Sequence, residues 1–160
     1  MLFRSYKYTN LKKIVEVGCG YGGLFLAINH FSKILGVFIE KYYIVDLPIV
    51  CKLIELYLKK HVESINIDYE IKPSLLYGND IYDDNLFFIS NYCFTEITET
   101  HRNSYISILF PKVKHGFIIW QTVFNLPIEE VSIITKEIIK IDKEEPQTDT
   151  LNDENYFVYF

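Results

Sequence analysis

Basic residues are in short supply: 16 Lys and Arg stand against 21 Asp and Glu, a formal charge of −5 over 160 residues. The lysines are scattered, as in "LKK", "YLKKH" and "KVKH", so the basic face that would carry the chain onto nucleic acid is missing. Cysteine is scarce too. Cys19, Cys51 and Cys93 show neither CxxC nor Cys/His ligand spacing, which argues against zinc and for reduced thiols in a cytoplasmic protein. Asp83 and Asp84 are adjacent and point opposite ways on an extended segment, so no metal is expected. No uncharged apolar run has the length of a membrane span, and "MLFRSYKYTNLKK" lacks the apolar core of a signal peptide. A soluble protein without a membrane partner is the expectation. Alanine and tryptophan occur once each, beside 13 Tyr and 12 Phe; that skew reads as AT-rich coding bias and carries no functional information.

What is present alternates. "KKIVEVG" (12–18) reads as a buried strand, followed by Leu24, Phe25, Ile28, Phe31 and Leu35 at helical steps. A second strand is expected over 41–48 and a helix over 49–61, its lysines gathered at the C-terminus. Strands follow at 65–71 and 85–92, a helix at about 100–111, a turn at 112–116 and a fifth strand at 116–122. A helix or helical turn opens at Pro127. "IIKI" (138–141) and "NYFVYF" (155–160) then pair as an antiparallel hairpin across a polar loop, in which "DKEEP" (142–146) is expected to be solvated. This order predicts one α/β domain over 1–160. Its sheet has seven mostly parallel strands and a closing antiparallel hairpin, with helices on both faces.

The glycines concentrate in "IVEVGCGYGG" (14–23). Gly18, Gly20 and Gly23 match GxGxxG after a strand, and Asp46 ends the second strand as a ribose-binding acid would. That much suits a nicotinamide enzyme and a methyltransferase alike. Glu16 separates them: a carboxylate there repels a pyrophosphate but attracts the sulfonium and ammonium of S-adenosylmethionine. Asp46 can then accept both ribose hydroxyls. In "YGNDI" (77–81), Asp80 is placed to accept from an adenine amino group, with Ile81 packing on the ring; an ordinary turn explains the same residues.

"EVGCGYGGL" resembles motif I of the S-adenosylmethionine-dependent class I methyltransferases, which have a Rossmann-like sheet. More narrowly, "YYIVDLPIVCKLIELYL", "LFFISNYCFTEI" and the tail "EEPQT…ENYFVYF" resemble the sugar O-methyltransferase family. The resemblance covers roughly residues 12–160. It implies a cofactor set of Glu16, Gly18, Gly20, Tyr21, Gly22, Asp46, Leu47, Asp80, Ile81, Ser90 and Asn91. It also implies a sugar hydroxyl, on a glycan or nucleotide-sugar, as acceptor. Family members carry a longer helical segment before motif I, so little or no N-terminal cap is expected here, and a homodimer or a fusion to other glycan-enzyme domains is an open partner.

A sugar hydroxyl attacking a methyl group has to be aligned and relieved of a proton. Of four histidines only His101 follows a strand's carboxyl end; His30, His61 and His115 fall on the opposite edge. Glu96 is the rival base, and Asn91 completes the catalytic candidates. Tyr92, Gln121 and Thr122 are the expected acceptor contacts. Two alternatives stay open: a non-catalytic methyltransferase-like domain of a larger glycan enzyme, and a small NAD-binding oxidoreductase.

Overall fold

The computed structural model describes residues 11–122, 126–147 and 154–160. The N-terminal stretch 1–10 and the middle of the polar loop, 148–153, lie outside the described residues. The strands are β1 (Lys13–Val17), β2 (Lys41–Asp46), β3 (Asp68–Pro73), β4 (Leu86–Asn91), β5 (Val113–Gln121), β6 (Lys140–Lys143) and β7 (Asn155–Tyr159). The helices are α1 (Gly23–Leu35), α2 (Pro48–Lys59) and α3 (Glu99–Ile108). Short 3-10 turns span Ser74–Leu76, Phe110–Lys112 and Ile128–Ile133.

The strands form one sheet in the order β3-β2-β1-β4-β5-β7-β6. Five strands are parallel, and β7 runs antiparallel to both β5 and β6. The expected seven-stranded sheet with its closing antiparallel pair is therefore the observed one. Strand order reverses between β1 and β4, and the crevice above their carboxyl ends is where ligands collect in such sheets.

Both faces are covered, so the inner strands are apolar throughout. In β2, Tyr42 and Ile44 join Phe25 and Ile28 of α1 and Ile54 and Leu58 of α2 in one layer. Tyr43 and Val45 point the other way, to Phe88, Phe94, Phe110, Trp120 and Tyr105 of α3. The two-residue period of the strand sorts neighbours into opposite layers.

Some expectations shift. Strand β5 begins at Val113, so His115 sits inside it, paired with Phe87. Gly116 is not a turn glycine: a Cβ there would lie 2.4 Å from the Phe160 ring, and its N–H donates to the Phe160 carbonyl at 2.8 Å. It lets the C-terminal aromatic close against the strand. The segment after Pro127 takes the second of its two expected forms, a helical turn, here a 3-10 turn; the β-branched residues in "EEVSII" have poor helix propensity. Finally, "DKEEP" is a solvated loop only in part, with Lys143, Glu145 and Pro146 exposed. Asp142 and Lys143 belong to β6, and Glu144 is buried.

Candidate functional site

The turn from β1 into α1 is shaped by its glycines. Gly18 has φ +80°, and a Cβ on it would stand 2.1 Å from the Cβ of Cys93. Only glycine lets β1 pass this close to the chain leaving β4. Gly20 has φ +56°, but here a Cβ would meet no protein atom; it borders open space. Gly22 caps the start of α1. Tyr21 is exposed on the rim and packs edge-on against Tyr57, ring centroids 5.0 Å apart.

Asp46 holds this turn. Its Oδ2 accepts the N–H of Cys19 at 2.6 Å and of Gly20 at 3.1 Å, and its Oδ1 accepts the N–H of Leu47 at 2.7 Å. The carboxylate at the end of β2 thus orders the glycine backbone. A carboxylate offers about four lone-pair positions, so Oδ1 keeps room for an incoming hydroxyl. Leu47, exposed beside it, is the apolar side chain at this rim.

Glu16 does not reach the crevice surface as expected. It is only 2% exposed, and Tyr42 donates its hydroxyl to Glu16 Oε2 at 2.8 Å. Burial pushes its carboxyl up to about 7; the Tyr42 hydrogen bond pulls the other way, and the charge of Asp46 adds to the rise.

On the far side of Asp46, Asp80 pairs through Oδ2 with Lys72 at 3.3 Å, and its Oδ1 is buried with no hydrogen-bond partner. An orphan acceptor of this kind is costly unless a ligand donates to it. Ile81, expected to stack on a ring, is fully buried in the core under α3. The loop turns it inward because the ammonium of Lys112 caps the Gly78 and Ile81 carbonyls.

Strand β4 ends in "SN", and Tyr92 follows it. Ser90 is corrected from ligand contact to clamp: fully buried, it donates to the Val17 carbonyl at 2.9 Å and accepts the Phe94 N–H at 3.1 Å. Asn91 carries a second orphan, a buried Oδ1 without a partner. Tyr92 has φ +62°, a left-handed backbone uncommon for an aromatic residue and a mark of functional sites. Its hydroxyl donates to Glu144 Oε1 at 3.1 Å, and Glu144 Oε2 accepts Asn155 Nδ2 at 2.9 Å. The β6–β7 pair is therefore tied to the end of β4. Glu144 was missed because an acidic loop reads as solvated, and Asn155 because a polar residue opening a strand gives no sign of its partner.

The rival bases face different partners. Glu96 is exposed in the turn before α3. The Gln121 amide, with its nitrogen toward the two acceptors, donates to Glu96 Oε1 at 2.8 Å and the Tyr92 carbonyl at 3.3 Å. Glu96 thus stands by the carboxyl ends of β4 and β5. His101 Nδ1 lies 2.8 Å from the Tyr77 hydroxyl, on the loop after β3 that also carries Asp80. It joins the other side of the crevice. Thr122 is engaged in chain pairing: its Oγ1 accepts the Glu154 N–H at 2.8 Å, and its own N–H donates to the Glu154 carbonyl at 3.0 Å. Beside Glu96 a cleft of about 660 Å³ opens.

Cys93, against Gly18, is pushed by burial up to about 12 and stays a thiol rather than a nucleophile. Among the described residues no group of three or more His, Cys, Asp or Glu side chains could hold a metal ion, and no helix is long and apolar enough to cross a membrane.

Comparison with solved structures gives the fold a class. The glycopeptide N-methyltransferase MtfA, complexed with sinefungin, is similar at a TM-score of 0.67 and 8% identity, over 98% of this chain and 85% of that one. Magnesium protoporphyrin IX methyltransferase ChlM from Synechocystis PCC 6803, with bound SAM, gives 0.67 and 11% over 99% and 74%. TrmK of M. capricolum, with S-adenosyl-homocysteine, gives 0.63 and 10% over 98% and 66%. The fold is that of the Rossmann-like methyltransferases. No protein-family model matches the chain, and no curated protein matches it by sequence.

Proposed function

We propose that this chain is an S-adenosylmethionine-dependent methyltransferase whose acceptor is a sugar hydroxyl. The observation that carries the cofactor is the Asp46-clamped glycine turn, open at Gly20 and flanked by the orphan Oδ1 of Asp80. Asp46 Oδ1 would take a ribose hydroxyl, Asp80 an adenine amino group, Leu47 the ring face, and Glu16 would favour the cationic end from below. The three solved neighbours hold S-adenosylmethionine or a close analogue in this fold, which supports the same reading here. When bound, that cofactor supplies an electrophilic methyl group.

The protein's own part is alignment and proton removal. Glu96, held by the Gln121 amide, accepts the proton of the attacking hydroxyl. Asn91 Oδ1, at the end of β4, orients a donor from cofactor or acceptor. His101, tied to Tyr77, borders the nucleoside side instead. The sugar rests on the resemblance of "DLP" and "ISNY" to the sugar O-methyltransferase family. We take 1–160 as one domain acting in the cytoplasm, with free Cys19, Cys51 and Cys93. A homodimer or a fused glycan-enzyme domain is the partner most compatible with that family.

Titration calorimetry with S-adenosylmethionine, S-adenosylhomocysteine and NAD tests the cofactor. The first two are expected to bind and NAD to be rejected; the opposite result overturns the reading.

A further inference from the structure

Resting on the methyl-transfer reading, we infer that the cleft beside Glu96 is the acceptor site and that it takes neutral or cationic polyhydroxyl compounds while rejecting phosphorylated ones. At about 660 Å³ it has the size of a small-ligand site. Glu96, Glu99, Glu130, Arg102, Asn103 and Leu126 are among its walls. The location fits the chemistry, because Glu96 belongs at once to this cleft and to the pair with Gln121 at the end of β5.

Arg102 is the second, independent sign of a ligand. It is nine-tenths buried, yet among the described residues the one hydrogen bond of its side chain runs from Nη1 to the Ile97 carbonyl at 2.8 Å. A guanidinium has five N–H donors in a fixed fork, so donors beyond the one given to Ile97 remain for whatever fills the cleft that Arg102 lines. Hydroxyl oxygens accept such donors, and the carboxylates of Glu96, Glu99 and Glu130 accept the hydroxyl protons in return. A polyol presents both.

The charge balance sets the exclusion. Three carboxylates stand against one guanidinium, and that guanidinium is partly committed to the chain. The positive N-terminus of α3 is already met by Glu99 in its first turn. A phosphate dianion entering here meets like charges on two walls. A nucleotide-sugar is thereby disfavoured against a plain or amino glycoside.

The test uses three probes on the full chain, free and saturated with S-adenosylhomocysteine: methyl glucoside, methyl glucosaminide and glucose 1-phosphate. Binding is followed by saturation-transfer NMR and titration at low ionic strength. The two glycosides are expected to bind at least ten times more tightly than the phosphate. In Glu99→Gln/Glu130→Gln, two exposed positions, that discrimination is expected to shrink by at least threefold. Arg102→Lys, which keeps the charge and loses the fork, is expected to weaken both glycosides.

Equal or tighter binding of glucose 1-phosphate overturns the inference. So does discrimination unchanged in the double variant, or no glycoside binding at all. S-adenosylhomocysteine titrated alone reports separately: its failure to bind removes the methyl-transfer reading, while the glycoside comparison on free protein still judges the cleft.

Discussion

The hydroxyl of Tyr42 donates across 2.8 Å to the buried carboxylate of Glu16, two residues on adjacent strands beneath the glycine turn. The pair makes stability pH-dependent. Burial raises the Glu16 carboxyl from 4.5 to about 7. Between those values the native protein keeps a proton that the unfolded chain has released, so stability falls as pH rises. The contribution is fully present below 4.5 and lost once pH passes about 7. Its size is on the order of 3 kcal/mol. Urea unfolding of the ligand-free protein at pH 5 and pH 8 is expected to show this loss, and Glu16→Gln to flatten it.

The same carboxyl links pH to ligand affinity. A cationic cofactor favours the ionised form, so its binding is expected to release a proton near pH 6 and to weaken as pH falls through 7. Calorimetry in buffers of different ionisation enthalpy measures that proton directly; none released means Glu16 plays no part in binding.

Asp46 serves both the turn and the ligand. Asp46→Ala strips the acceptor from three backbone N–H groups and is expected to cost about 2–4 kcal/mol of cofactor binding, together with a lower melting temperature. Affinity equal to the parent would remove Asp46 from the ribose.

Gly18 and Gly20 separate folding from binding. Gly18→Ala drives a Cβ into Cys93 and is expected to destabilise by at least the 1–3 kcal/mol typical of overpacking. A Cβ on Gly20 meets no protein atom. Gly20→Val should keep the sheet, read by circular dichroism, while abolishing cofactor binding, read by calorimetry.

Glu96 and His101 divide along the crevice. With an acceptor in hand, Glu96→Gln is expected to lower single-turnover methyl transfer by roughly 10²–10⁴, with cofactor affinity unchanged. His101→Ala should change transfer less than about tenfold and act instead on cofactor affinity. The reverse pattern would return the base to His101.

Strands β1, β2, β4 and β5, helices α1 to α3, the glycine turn and Asp46 were legible in the sequence because they rest on local physics. Apolar runs, helical spacing and glycine-rich turns are written within a few residues of one another. The closing β6–β7 pair was legible for the same reason, though β6 was expected two residues early. What each polar side chain does is not local. Ser90 is drawn inward by the Val17 carbonyl, 73 residues away. Glu144 is buried by Tyr92, 52 residues away, and Ile81 lies in a core completed by Phe160. The composition of "YGNDI" or "DKEEP" carries no trace of these partners. The strands and the glycine turn were thus determined by the sequence. Which acids face the crevice, and which lie beneath it, was decided only when the sheet brought distant strands side by side.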